Sequence, residues 1–207
     1  MAKILKIHAD NPSEKQINEV VEVLKKDGVI IYPTDTVYGL GCDIFNHKAM
    51  EKLARIKGVK LEKAHFSFVC SDLSNLSQFS KPIDNPVFKL LKRALPGPFT
   101  FVLNAANTLP TTYKGKKTVG IRVPDNNIPR MIVEKLGNPI ASTSTYSDDE
   151  IIEYSTDPEL IAEKYDKLVD LVIDSGVGDY TASTIVDVTS GEPVLLRQGK
   201  GDLDLYI

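Results

Sequence analysis

Side chains able to hold an anionic or amino-acid ligand gather in a few short segments of this 207-residue chain. The run Pro33-Thr34-Asp35-Thr36-Val37-Tyr38-Gly39-Leu40-Gly41 follows the apolar stretch Val29-Ile30-Ile31-Tyr32. It places hydroxyls, a carboxylate and two glycines at a strand end, where open α/β sheets bind ligands and where glycine lets a backbone approach closely. The same residues also suit a polar turn closed by threonine side chains. Between Lys48 and Lys63 stand six cations (Lys48, Lys52, Arg55, Lys57, Lys60, Lys63) against Glu51 and Glu62, a local excess of +4. Such a run is a solvated helix face or, past a helix end at Gly58, a phosphate clamp on a mobile loop. Pro139-Ile140-Ala141-Ser142-Thr143-Ser144-Thr145-Tyr146-Ser147 puts a row of hydroxyls at the exit of an apolar strand, followed by the acidic Asp148-Asp149-Glu150. Arg122 interrupts the apolar Thr118-Val119-Gly120-Ile121-Arg122-Val123, and Arg197 leaves another strand in Leu195-Leu196-Arg197-Gln198-Gly199, downstream of Ser183-Thr184-Ile185-Val186-Asp187. An arginine inside a strand either pairs with a carboxylate or offers a bidentate fork to a ligand carboxylate or phosphate.

Other chemistries find no support. The histidines His8, His47 and His65 lack catalytic spacing, and Cys42 and Cys70 lack neighbours at metal-ligand spacing. Walker, nucleophile-elbow and zincin signatures are absent. A net charge of -3 argues against coating nucleic acid by bulk charge, leaving a local basic patch open. Two distant cysteines suit a reducing cytosol, and no segment approaches the roughly 18 apolar residues of a membrane helix, so a cytoplasmic protein is expected.

Positioning these groups requires alternating strands and helices. Ile17, Val20, Val21 and Leu24 recur at helical spacing after a capping box of Ser13 and Gln16. Asn46 is expected to cap a second helix and Asn85-Pro86 to open a third that Pro96-Gly97-Pro98 stops; Asp157-Pro158 signals another start. Strands are expected at 3–8, 29–32, 66–70, 99–103, 118–123, 139–143, 168–173, 183–188 and 193–197, the last three following one another through turns at Gly176, Gly178 and Gly191. The reading is a single α/β domain spanning 1–207 with a mixed sheet.

Taken in order, YPTDTVYGLGCD, ARIKG, LPGPFTFVL, TVGIRVPDN, PIASTS, STIVDV and LLRQG resemble the YrdC/YciO family from about Tyr32 to Gly199. The resemblance implies a twisted open sheet of parallel and antiparallel strands with helices and a concave basic groove. It implies a threonylcarbamoyl-AMP synthase, a nucleotidyltransferase that converts L-threonine, bicarbonate and ATP, with Mg2+, to threonylcarbamoyl-AMP and pyrophosphate for tRNA modification. Carried over by motif, Thr34, Arg122, Ser142 and Ser183 would hold threonine, while Lys57, Thr118, Ser144 and Arg197 would hold the nucleotide. No protein nucleophile or protein metal ligand is implied. The family's Lys-x-Arg reads Lys57-Gly58-Val59 here and its Ser-x-Asn reads Ser144-Thr145-Tyr146. Those departures place the chain nearer the YciO branch and imply weak synthase activity. The alternative is a non-catalytic module that binds nucleotide, tRNA or double-stranded RNA.

Overall fold

Amphipathic spacing and β-branched runs produce alternating elements in the computed structural model, which describes residues 2–74, 76–145 and 156–207. In chain order these are β1 (Lys3–Lys6), α1 (Glu14–Lys25), β2 (Ile30–Tyr32), β3 (Gly39–Asp43), α2 (His47–Ile56), β4 (Ser67–Val69), α3 (Asn85–Ala94), β5 (Phe99–Asn104), β6 (Thr118–Arg122), α4 (Asn127–Leu136), β7 (Ile140–Ser144), α5 (Pro158–Lys164), β8 (Leu171–Asp174), β9 (Thr184–Asp187) and β10 (Val194–Arg197). Asn46 accepts from the Ala49 amide and Asp157 from the Glu159 amide, so both expected caps form. Ser13 precedes α1 without a side-chain cap bond, and Gln16 instead donates to the Lys6 carbonyl. The expected capping box is therefore replaced by a tie between α1 and β1.

Among the described residues all ten strands join one open mixed sheet in the order β1-β8-β2-β3-β7-β4-β6-β5-β9-β10. The last three strands follow one another in the chain as expected, but only β9 and β10 pair, antiparallel. β8 lies far from β9, inserted in parallel between β1 and β2. The segment read as either a ligand-binding strand end or a polar turn also contains a strand, since β3 pairs antiparallel with β2 and β7. Helix α4, for which no specific span was expected, begins at the Asn126 side-chain cap and ends on left-handed Gly137.

Strand alternation sorts side chains to the two faces of the sheet. On one face α2, α3 and α5 cover Ile31, Leu40, Phe68, Phe101, Ile121, Ala141 and Val186. On the other, α1 and α4 cover Ile30, Tyr32, Val69, Ile140, Leu171 and Ile173. No residue of β5, β6 or β9 joins this second cluster. Among the described residues no helix lies over that half of the face, and its strands carry Thr100, Thr118, Gly120, Arg122 and Ile185 there, between core neighbours such as Phe101, Val119 and Ile121.

Candidate active site

The uncovered half-face holds two adjoining hollows of about 180 Å³ each. The first is bounded by Val37–Gly39, by Ser142–Ser144 on β7, and by Ser67, Arg122, Ser183 and Arg197. The second continues over Thr118 and Gly120 to Tyr113 and Lys116. His65, Ser67, Thr100 and Ile185 border both, so the two form one bipartite depression. Among the described residues Arg122, Arg197 and Lys116 supply its charged lining, and no described Asp or Glu lines either part.

Arg122 ends β6 with its side chain almost wholly enclosed. Its Nη2 donates to Asp35 Oδ1 and Thr36 Oγ1 at 2.6 Å each and to Thr34 Oγ1 at 3.1 Å. Of the two readings of an in-strand arginine, the structural pairing is present, with Asp35, and the guanidinium also lines the first hollow. Arg122 Nε and Asp35 Oδ2 are buried without a hydrogen-bond partner. Buried orphan polar atoms are uncommon in folded proteins and mark a place where a further partner fits. Thr34 stands behind Arg122, outside the lining of the hollow. Its hydroxyl donates to the Val37 carbonyl at 2.8 Å and accepts from the Thr36 amide at 3.0 Å, closing the turn.

The remaining groups arrive from distant elements. Lys57, the C-cap of α2, donates through Nζ to the Ser144 carbonyl at 3.1 Å. Ser183 Oγ lies 2.9 Å from Thr100 Oγ1, and the Ser183 carbonyl accepts from Arg197 Nη2 at 2.7 Å. Ser142 Oγ accepts from Tyr32 Oη at 2.5 Å. Thr118 lines the second hollow. Elsewhere in the basic run, Lys48 pairs with Asp27 and Lys52 with Asp170. Lys60 caps a short 3-10 turn, Leu61–Lys63, in the segment expected to be a mobile loop. Lys116 turns its Nζ onto the Ala64 and Glu62 carbonyls, and burial holds its pKa below the usual lysine range.

His65, Ser67 and Thr100 are lining residues that motif reading missed. The cue for Ser67 and Thr100 was alternation: each is a hydroxyl set among the core residues Phe66, Phe68, Phe99 and Phe101. Val59 lies at the surface just past α2, while Tyr146 falls outside the described residues. Among the described residues no group of three or more His, Cys, Asp or Glu side chains could hold a metal ion.

Residues 22–199 match the Sua5/YciO/YrdC family model, described as "Telomere recombination". The uncharacterized protein YciO of Escherichia coli K12 is 40% identical over 211 residues, covering 100% of both chains. Its crystal structure superposes with a TM-score of 0.89 over 100% of both chains. The threonylcarbamoyl-AMP synthase of Coxiella burnetii RSA 493 is more distant, 29% identical over 180 residues, covering 86% of this chain and 95% of that one. A structure of P. abyssi Sua5 complexed with L-threonine matches with a TM-score of 0.84 at 28% identity, covering 95% of this chain and 57% of that one. With a family model spanning most of its length and a full-length relative at 40% identity, the chain belongs to the Sua5/YciO/YrdC family.

Proposed function

We propose that the depression is an adenylate-forming site of the threonylcarbamoyl-AMP synthase type, taking L-threonine, bicarbonate and ATP. The observation that carries this reading is the gathering of Arg122, Ser142, Ser144, Ser183 and Arg197 around one hollow, with Lys57 and Thr118 beside it. A hollow of about 180 Å³ suits a small amino acid and is too small for a nucleotide, which would extend into the second one. Arg122 and the hydroxyls of Ser142 and Ser183 are suited to a ligand carboxylate, a pairing that charge-assisted hydrogen bonds make strong.

The chemistry needs no protein nucleophile. The threonine amine adds to bicarbonate-derived carbon dioxide and loses a proton, giving a carbamate. A carbamate oxygen then attacks the α-phosphorus of ATP, and the bond to the bridging oxygen of the β-phosphate breaks, releasing pyrophosphate. Holding the two reactants in register supplies proximity, while Lys57 and Arg197 offset charge on the phosphates. Among the described residues no carboxylate lines the depression, so Mg2+ would come with the triphosphate and would help neutralise its charge. The adenylate so formed would pass to a tRNA-modifying partner.

The test is incubation of the protein with all three substrates and magnesium, with mass detection of the adenylate and measurement of pyrophosphate. Product that requires threonine, bicarbonate and ATP together is expected. Absence of product, with no calorimetric heat from millimolar ATP or threonine, would overturn the proposal. The RNA-binding alternative draws less from the structure, because Lys48, Lys52 and Lys116 of its basic patch are engaged in contacts within the chain.

A further inference from the structure

Tyr32 is fully buried at the end of β2, under α1 and α4, yet its phenol reaches across a neighbouring strand to the hollow. Register explains how. Tyr32 pairs with Gly39 on β3, and Gly41, two residues on, pairs with Ser142 on β7. A Cβ at Gly39 would lie 2.7 Å from Tyr32 Cζ, and one at Gly41 would lie 3.2 Å from Tyr32 Cε1. The two glycines thus leave a lane over β3 in which the ring lies, and its Oη ends 2.5 Å from Ser142 Oγ.

The direction of that bond follows from what surrounds it. Tyr32 Oη has no other hydrogen-bond partner among the described residues, so its proton goes to Ser142 or stays unpaired in the core. Burial also pushes its pKa up to about 12, which keeps the proton in place at neutral pH. Ser142 Oγ therefore accepts on its buried side, and a hydroxyl carries one proton of its own. Ser142 lines the first hollow and is half-buried, so that proton is left to point outward.

We infer that Tyr32 is a positioning residue: it commits Ser142 as an acceptor toward the core and so aims the Ser142 proton into the hollow, at an oxygen of the bound amino acid. The inference rests on the proposed amino-acid site. It assigns the YGLG glycines a part in that site as well, since they make the lane.

Tyr32→Phe keeps the ring in its lane and removes only the hydroxyl. Calorimetry with L-threonine and, separately, ATP is expected to show threonine bound about three- to tenfold more weakly and ATP unchanged. In a cycle with Ser142→Ala, the double variant should bind threonine no more weakly than Ser142→Ala alone. Wild-type-like threonine affinity in Tyr32→Phe, equal losses for both ligands, or additive losses in the cycle would each overturn the role. If Tyr32→Phe folds too poorly to measure, NMR of the protein labelled with 13Cζ-tyrosine carries the test. The Tyr32 resonance must then shift both on adding L-threonine and on Ser142→Ala, and a stationary resonance in either case overturns the role. A wild-type protein that binds no threonine would instead remove the amino-acid site itself, a result distinct from normal binding by both proteins.

Discussion

Arg122 is held by Asp35, Thr34 and Thr36 through a single nitrogen, which leaves the rest of its guanidinium uncommitted. Removing one partner of so enclosed a pair strands the other charge, so Arg122→Ala is expected to cost about 3 kcal/mol in urea unfolding and to abolish threonine binding. Arg122→Met combined with Asp35→Asn should restore much of the stability without restoring binding, which separates the two roles of the arginine. Val59 is 43% exposed, so its replacement should change stability by no more than about 0.5 kcal/mol. If the synthase proposal holds, Val59→Arg should raise adenylate formation by about tenfold or more, because a guanidinium offers phosphate a planar fork that valine cannot imitate. Unchanged turnover in Val59→Arg would show that this departure from the family pattern does not limit the rate.

At the scale of elements, β3 decides the geometry of the site, because it sits between β2 and β7 and lets Tyr32 and Ser142 meet. A Cβ on Gly41 would lie 2.5 Å from Ile140 Cγ2 and 2.6 Å from the Ala141 carbonyl oxygen. The carbonyl belongs to the sheet backbone and cannot swing aside. Gly41→Ala is therefore expected to destabilise the protein by about 1 to 3 kcal/mol, read from its thermal unfolding. Asn46→Ala at the start of α2 removes one cap bond and should cost about 1 kcal/mol. Binding of threonine should survive Asn46→Ala, since that end of α2 lies away from Lys57.

For the molecule as a whole, burial of weak acids sets the alkaline limit. The Cys70 thiol is pushed up from 9.0 to about 12 by burial, and Cys42 is pushed up for the same reason. Tyr32 and Tyr38 are likewise raised from 10.0 to about 12. In each case the unfolded chain loses its proton first, so it binds fewer protons than the native state and stability falls as pH rises. Lys116, lowered by burial, acts with the opposite sign. Unfolding free energy should be flat from neutral pH to about pH 9 and decline through pH 12, the first part of the decline coming from the thiols. Urea melts at successive pH values should show Cys70→Ala with a shallower slope than wild type between the thiol and tyrosine ranges. Neither thiol should react with a thiol reagent in the native protein near pH 8, because the thiolate is the reactive form.

Much of this was legible in the order of residues, where the determinants are local. The helical spacing in α1, the Asn46 and Asp157 caps and the helix end at Gly58 depend on neighbours a few positions away, and each appears in the structure. The alternation in Thr118-Val119-Gly120-Ile121-Arg122 likewise marks one face of β6 as polar before any partner strand is known. What lay beyond reach was pairing between strands. β8 and β9 follow each other in the chain but occupy distant places in the sheet, because parallel pairing of β8 with β1 and β2 satisfies backbone groups that no short turn predicts. The glycines of β3 read as a close approach to a ligand or as a turn, since a glycine that makes room for a ring on the next strand looks the same in sequence as either. His65 and Asp35 joined the site for the same reason: their roles are set by what the sheet brings beside them. Tertiary structure alone decided that α1 and α4 stop short of β5, β6 and β9, and the half-face they leave is where the hydroxyls and arginines meet.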